Sequence, residues 1–390
     1  MVFRISPKSE VVFGEHASDQ TGERTKMLGC SKVLCVYDQG VNDAGIVGPI
    51  VESLKKAGLE VVQYGGVLPD PPDTMVNDCG GLARKEQVDG IVAVGGGSTL
   101  DTAKAVNIML GNPGPVEDYY PLQYPLPGAP SHKPGKPLVL RPTTAGTGSE
   151  ITHVAVLTRA ATGAKQGVRG PATIASLAIV DPLLMLGLPA ALTAATGMDA
   201  FSHALEAYTA TGQNIMSDML SEKAMELTVR YLPVALKNGS DIEARTNMCF
   251  ASLIAGMSFN DARTHFGHAF SHTLGAKHHV PHGIGCAIAQ PAVVEMVSYL
   301  IPGKVRRVGQ IMGLTLGDSL SPAELAKEVS GRIAAFSKDM GLPTLRQLHI
   351  KDADLAPLAE GTMKDVCFTA VPVKLTLQDV LKAIEGLYAL

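Results

Sequence analysis

Residues 91–109 read IVAVGGGSTLDTAKAVNIM: an apolar β-branched run, three glycines, and then small and apolar residues recurring at helical spacing. This order predicts a buried strand that turns through Gly95, Gly96 and Gly97 into a helix beginning near Ser98. Glycine lets a ligand approach the backbone, and the amides and dipole of a new helix attract negative charge, so the turn is a candidate pyrophosphate cradle with Ser98 as an added donor. An ordinary tight turn between strand and helix reads the same locally. The stretch is not a phosphate-binding P-loop, because GxxxxGK[ST] is absent, and GxGxxG does not follow the first strand.

Working outward, KVLCVYD (Lys32–Asp38) reads as a strand, IVGPIVESLKKAG as a helix, LEVVQYGGV as a second strand and VNDCGGLARKEQ as a second helix. PLVLRPTTAGTGSE, HVAVLT and ASLAIVD continue the strand-rich texture to about Asp181. Strand, helix, strand in repetition predicts an α/β domain with a parallel sheet. From Pro189 the texture changes: AALTAATGMDAFSHALEAYTA and the segments after it place apolar residues three and four apart, with few β-branched runs. We therefore expect an α/β dinucleotide-binding domain over residues 1–185 and an all-helical domain over 186–390, divided at LGLPA.

The whole chain agrees with two domains, since 390 residues exceed what one core usually organises. Its 33 basic residues are spread among 37 acidic ones, and it has no Trp, which argues against a nucleic-acid surface. Six scattered cysteines without a CxxC pair suit a reducing compartment. MVFRISPKSEVVFG lacks the pattern of a secretory leader and no apolar run is long enough to span a membrane, so cytoplasm is the expected location.

Two further features point to a dinucleotide. Asp38 ends the first strand, where a carboxylate can accept hydrogen bonds from a ribose diol and repel a 2′-phosphate; an Asx turn in YDQG is the alternative. RPTTAGTGSE (Arg141–Glu150) offers Thr143 and Thr144 with two glycines directly after an apolar run.

The helical half carries the second chemistry. GMDAFSHALEAY sets Asp199 and His203 four apart on one helix face, GHAFSH repeats that spacing with His268 and His272, and PHG adds His282. Five of the 11 histidines lie between Gly267 and Gly283. Polar side chains buried in such apolar helices need partners, and converging imidazoles resist joint protonation; a divalent cation answers both, with Fe²⁺ and Zn²⁺ equally suited to these N/O donors.

VGGGSTLDTAK, TTAGTGSE, GMDAFSHALEAY and HAFSHTLGAKHHVPHG, in this order over nearly the whole chain, resemble the iron-containing, or group III, alcohol dehydrogenases. The resemblance implies an N-terminal domain binding NAD(H) and a helical domain with one divalent metal per subunit, iron first and zinc as the alternative. It implies Asp199, His203, His268 and His282 as metal ligands and His272 as an additional active-site histidine. It further implies Asp38 as the NAD-selecting acid, Gly95, Gly96, Gly97, Ser98 and Asp101 as the pyrophosphate motif, Thr143 and Thr144 beside the nicotinamide, and Lys165 in GAKQG at a cofactor ribose. A homo-oligomer, dimer or larger, is also implied.

The chain departs from the family at FNDARTHFGH, where Arg263 and His265 replace small or apolar residues, and at VPVKLTLQDVLKAI, which replaces an NPRP-like close. Arg263 and His265 are candidates for holding an anionic substrate tail; pairing of Arg263 with Asp261 or Glu206 is the alternative. The expected activity is a metal-dependent NAD(H)-linked alcohol dehydrogenase or carbonyl reductase, with His272 relaying protons. Its rivals are a hydroxyacid–oxoacid transhydrogenase that retains its nicotinamide, a metal-dependent hydrolase, for which HExxH is missing, and a noncatalytic nucleotide-binding protein.

Overall fold

The computed structural model describes residues 9–120 and 133–390. Residues 1–8, the start of the stretch read for a leader, and 121–132, both inside the expected α/β domain, lie outside the described residues. The chain forms two compact units: Pro7–Thr144 with Gly148–Leu188, and Pro189–Leu390 with Ala145–Thr147.

The first unit contains strands β1 (Glu10–Phe13), β2 (Lys32–Asp38), β3 (Glu60–Val67), β4 (Gly90–Gly95), β5 (Leu138–Pro142), β6 (Val154–Thr158), β7 (Lys165–Arg169) and β8 (Leu177–Val180). Its helices are α1 (Thr21–Met27), α2 (Gln39–Asp43), α3 (Val47–Lys56), α4 (Asp73–Lys85) and α5 (Gly97–Gly111). Six strands form a parallel sheet in the order β1-β8-β5-β4-β2-β3.

Both sheet faces are covered, which is why the strands read as continuous apolar runs. Leu34, Ile91, Ala93, Leu138 and Leu140 pack with Val76 of α4 and Leu100 and Val106 of α5. Val33, Val92, Val94, Val139 and Ile179 pack on the opposite face with Ile50 and Leu54 of α3. Each large apolar side chain buried this way contributes about 1.5–3 kcal/mol. The crossovers lie on opposite faces to either side of β2 and β4, so the carboxyl ends of these strands form the crevice where Asp38 and Gly95 stand. HVAVLT does not extend this sheet: β6 pairs antiparallel with β7 as a separate ribbon, and its alternating burial leaves only one side covered.

The second unit is helical: α6 (Ala190–Thr209), α7 (Ile215–Lys237), α8 (Ile242–Ala262), α9 (Phe266–His278), α10 (His282–Val297), α11 (Pro302–Ile311), α12 (Pro322–Asp339), α13 (Asp352–Lys364) and α14 (Leu377–Ala389). Helix α6 is its axis, packed against α7, α8 and α10 and buried almost all round, as an alanine-rich helix with Met198, Phe201 and Leu205 permits. Asn214, Asp241 and Ser321 cap α7, α8 and α12 through their side chains. Among the described residues, no helix is long and apolar enough to cross a membrane.

Candidate metal centre and cofactor cradle

Helices α6, α9 and α10 converge through two glycines. A Cβ on Gly283 would stand 2.2 Å from the Ala195 carbonyl oxygen, and one on Gly267 would stand 2.4 Å from Glu206 Oε1. With hydrogen in both places, the first turns of α10 and α9 reach the Asp199, His203 and Glu206 face of α6.

At that junction Asp199 Oδ1 lies 3.6 Å from His282 Nε2, 3.8 Å from His203 Nδ1 and 3.9 Å from His268 Nε2. These separations are too long for hydrogen bonds, and those to His268 and His282 suit donors around one cation; His203 stands beside the gathered ligand atoms of Asp199, His268 and His282 and not among them. Asp199 and His268 are buried, and Asp199 Oδ1 and His268 Nε2 have no hydrogen-bond partner among the described residues. Buried polar atoms without partners are costly, so their aim at a common point is the mark of an ion site.

His268 and His282 are each oriented through the nitrogen that does not face Asp199, whereas His203 turns the same Nδ1 toward both Asp199 and Gly146. The His203 Nδ1 hydrogen is donated to the Gly146 carbonyl at 3.2 Å, that of His268 to Glu206 Oε1 at 2.8 Å, and His282 Nδ1 faces Ser271 Oγ at 3.2 Å. Ser271 donates its own hydroxyl to the His282 carbonyl at 2.7 Å, leaving its oxygen to accept from the ring. A carbonyl or carboxylate can only accept, so the protons of His203 and His268 stay on Nδ1, and His268 thereby turns its Nε2 toward Asp199. His203 also stacks on Phe259 at 4.2 Å between centroids, and its ring lies 4.4 Å from that of His268.

Two residues here escaped the sequence reading. Glu206 is fully buried and accepts from His268, from the His265 amide at 2.6 Å and from Gln290 at 3.1 Å. Burial alone would raise its pKa, but His268, His265 and these hydrogen bonds outweigh it and hold the carboxyl well below the usual range. The other is Cys286, whose Sγ gathers with the ligand atoms of Asp199, His268 and His282. Both had a signal available: Glu206 follows His203 by three residues, and Cys286 follows His282 by four. Burial raises Asp199 to about 6 and, with His268, lowers His203 well below the ordinary imidazole value.

His272 lies outside the group of Asp199, His268, His282 and Cys286 and gathers with Asp365 and Cys367. Its Nδ1 pairs with Asp365 Oδ2 at 2.9 Å, and its ring stacks on His282 at 5.4 Å between centroids. Burial opposes the imidazolium, yet Asp365 and Cys367 outweigh it and raise the His272 pKa well above the ordinary value.

Arg263 and His265 are not arranged as an anion clamp. Arg263 donates to Thr369 Oγ1 at 2.6 Å and to the Val366 carbonyl at 3.1 Å, which ties it to the segment before the C-terminal helix. His265 is completely buried, with Nε2 2.9 Å from Thr209 Oγ1, and burial lowers its pKa to about 4. The alternative pairing of Arg263 with Glu206 is not formed either, because that carboxylate is committed to His268, His265 and Gln290.

In the α/β unit, α5 starts at Gly97, and no side chain caps it. Asp38 Oδ2 accepts the Thr99 hydroxyl at 3.0 Å while Oδ1 accepts the Val41 amide, joining the end of β2 to the glycine turn; the Asx turn is thus present as well. The Thr143 amide donates to the Gly95 carbonyl at 3.0 Å, and a Cβ on Gly96 would lie 3.4 Å from Thr144. Gly95, Gly96, Gly97, Ser98, Thr143 and Thr144 therefore share one corner, an uncapped helix start that fits a pyrophosphate.

Asp101 and Lys165 are engaged elsewhere. Asp101 accepts the Ser149 hydroxyl at 2.5 Å and the Val156 amide at 2.9 Å, with Lys104 Nζ 3.5 Å away, so its carboxylate braces β6. Lys104, buried and bonded to Ser149, Thr152 and the Val154 carbonyl, completes that brace. Lys165 pairs with Asp70 and donates to Thr158 Oγ1 at 3.0 Å.

Comparison with known proteins gives the same reading from a different direction. The chain is 36% identical to the NAD-dependent methanol dehydrogenase of Bacillus methanolicus over 98% of its own length and 99% of the relative's. It is 40% identical to the 1,3-propanediol dehydrogenase of Klebsiella pneumoniae over 90% of each chain. The solved alcohol dehydrogenase of Oenococcus oeni superposes with a TM-score of 0.93 at 34% identity, covering 99% of this chain and all of that one. Residues 7–182 match the family described as iron-containing alcohol dehydrogenase, and residues 193–388 match the C-terminal part of the Fe-containing alcohol dehydrogenase family. The chain belongs to the iron-containing alcohol dehydrogenase family.

Proposed function

We propose that this metal-dependent, NAD(H)-linked oxidoreductase of alcohols and carbonyls acts on short, uncharged primary alcohols or their aldehydes. Convergence of Asp199, His268 and His282 carries the reading, because it supplies a cation site buried within the helical unit. The substrate class rests on relatives named for methanol and 1,3-propanediol and on the commitment of Arg263 to Thr369 and Val366.

Asp199, His203, His268 and His282 would hold a divalent cation, iron in the matched family. When bound, the cation supplies Lewis acidity toward an alcohol or carbonyl oxygen and the nicotinamide supplies hydride exchange. Glu206 fixes the His268 ring and Gly146 the His203 ring, so neither imidazole must reorient during turnover. His272, with Nδ1 held by Asp365, moves the substrate proton at Nε2. Gly95 to Ser98 receive the pyrophosphate, Asp38 the adenosine ribose, and Thr143 with Thr144 the nicotinamide side. Residues 1–185 form the cofactor-binding part and 186–390 the metal- and substrate-binding part of a cytoplasmic homo-oligomer, dimer or larger. Exposed Ile215, Met219, Tyr299 and Leu300 are available for that assembly.

The test is a panel of short alcohols and hydroxyacids with NAD and NADP across metal-free, Fe²⁺-loaded and Zn²⁺-loaded protein. NADH should accumulate with short alcohols only when metal is present. Preference for hydroxyacids would overturn the substrate class, and turnover only with a donor–acceptor pair and no NADH release would overturn the proposal in favour of a transhydrogenase.

A further inference from the structure

We propose that Cys286 is a direct ligand of the metal in this protein, adding a thiolate to the Asp and His donors. The inference rests on the metal centre described above and concerns its donor set. His282 and Cys286 are the first and fifth residues of α10, so both project from one face at the helix start. Cys286 Sγ lies 3.5 Å from His282 Nε2, and its ligand atom and those of Asp199, His268 and His282 are all within 4.8 Å of one another.

Metal bonds of about 2.0–2.3 Å separate adjacent donors of one ion by roughly 3–4 Å. The His282–Cys286, Asp199–His282 and Asp199–His268 separations of 3.5, 3.6 and 3.9 Å fall in that range, the first also being within reach of a thiol–imidazole hydrogen bond. Asp199 Oδ1 and His268 Nε2 are buried without hydrogen-bond partners among the described residues, and the Cys286 thiol interacts with the same Asp199 carboxyl. Cys286 is itself completely buried. Its thiol would lose its proton to solvent as the sulfur–metal bond forms, and no oxidant or reductant is needed.

The consequence is metal choice. Thiolate is a soft donor, so a set containing Cys286 favours zinc and cobalt over iron more strongly than Asp and His donors do. Together Asp199 and the thiolate would also neutralise a divalent charge, moderating its pull on a substrate oxygen.

Cobalt-substituted protein tests this without reference to turnover. The unaltered protein should show a near-ultraviolet thiolate-to-cobalt charge-transfer band. Cys286→Ser should lose the band while still binding one cobalt, and its preference for zinc over iron, by competition, should fall about tenfold. Cys79→Ser, in the other unit, should keep the band. X-ray absorption on unaltered zinc-loaded protein requires no variant and should find one sulfur at about 2.3 Å. A purely nitrogen and oxygen shell, or identical cobalt spectra for the unaltered protein and Cys286→Ser, would overturn the inference while leaving the metal centre in place. Failure of the unaltered protein to bind any divalent ion would remove the centre and the inference together.

Discussion

Glu206 Oε1 lies 2.8 Å from His268 Nδ1 with both side chains buried, so a carboxylate decides which imidazole nitrogen is left for the metal. Glu206→Gln keeps the shape, but its amide can present either a donor or an acceptor to the ring and brings no charge. Metal affinity should fall about 10- to 100-fold, the usual cost of losing a carboxylate behind a ligating histidine. Glu206→Ala should also strip the acceptor from the His265 and His268 amides and lower folding stability by about 1–3 kcal/mol. Chelator competition measures the first effect and denaturant unfolding the second; unchanged affinity in Glu206→Gln would show that packing alone orients His268.

His268 and His272 sit one helical turn apart on α9, yet their surroundings give them different tasks. His268 faces Asp199, whereas His272 is paired through Nδ1 with Asp365. His268→Ala should lose bound metal and turnover together. His272→Ala should keep most of its metal and lose turnover by about 10²- to 10⁴-fold, the range for a general acid–base group. Elemental analysis beside steady-state kinetics checks both, and equal metal loss in the two variants would contradict the division.

Much of this architecture was legible in the sequence because its physics is local. Valines and isoleucines ending in glycines announced β4 and the start of α5, and Asp and His residues four apart announced the α6 and α9 faces. What stayed hidden depends on contacts distant in sequence. The β6–β7 ribbon has the same β-branched texture as the main sheet, and only pairing separates them. Asp101 looked like part of the cradle but turns to Ser149 and Val156, some 48 and 55 residues away. Arg263 looked available to substrate until the turn at Val366–Thr369 folded over it. Cys286 had the right spacing from His282, but the family pattern drew attention to the histidines.

Gly96 separates a cofactor role from a folding role. Its φ of −75° suits any residue, and a Cβ there meets nothing closer than 3.4 Å, so Gly96→Ala should fold with its thermal midpoint almost unchanged. The added methyl would stand at the uncapped start of α5, where the proposed pyrophosphate site requires close approach to the backbone. NADH affinity should drop by about tenfold or more, read by fluorescence titration. By contrast, a Cβ on Gly95 would lie 2.4 Å from Thr99 Oγ1, so Gly95→Ala should cost stability as well as affinity. Normal NADH binding by Gly96→Ala would place the pyrophosphate elsewhere.

Glu150 gives a pH signature in the α/β unit. Burial raises its carboxyl to about 7, with its own backbone hydrogen bond and Lys104 opposing only in part, whereas an unfolded glutamate titrates near about 4.3. Between these values the folded protein keeps a proton that the unfolded chain has released. The stabilising contribution is therefore complete below the lower value and lost as pH rises through the upper one. Glu150→Gln removes this titration, so its stability relative to the unaltered protein should improve from pH 5 to pH 8 by on the order of 1–3 kcal/mol. Thermal midpoints of both proteins at matched ionic strength across that range test the sign. A difference independent of pH would mean that Lys104 keeps Glu150 ionised throughout.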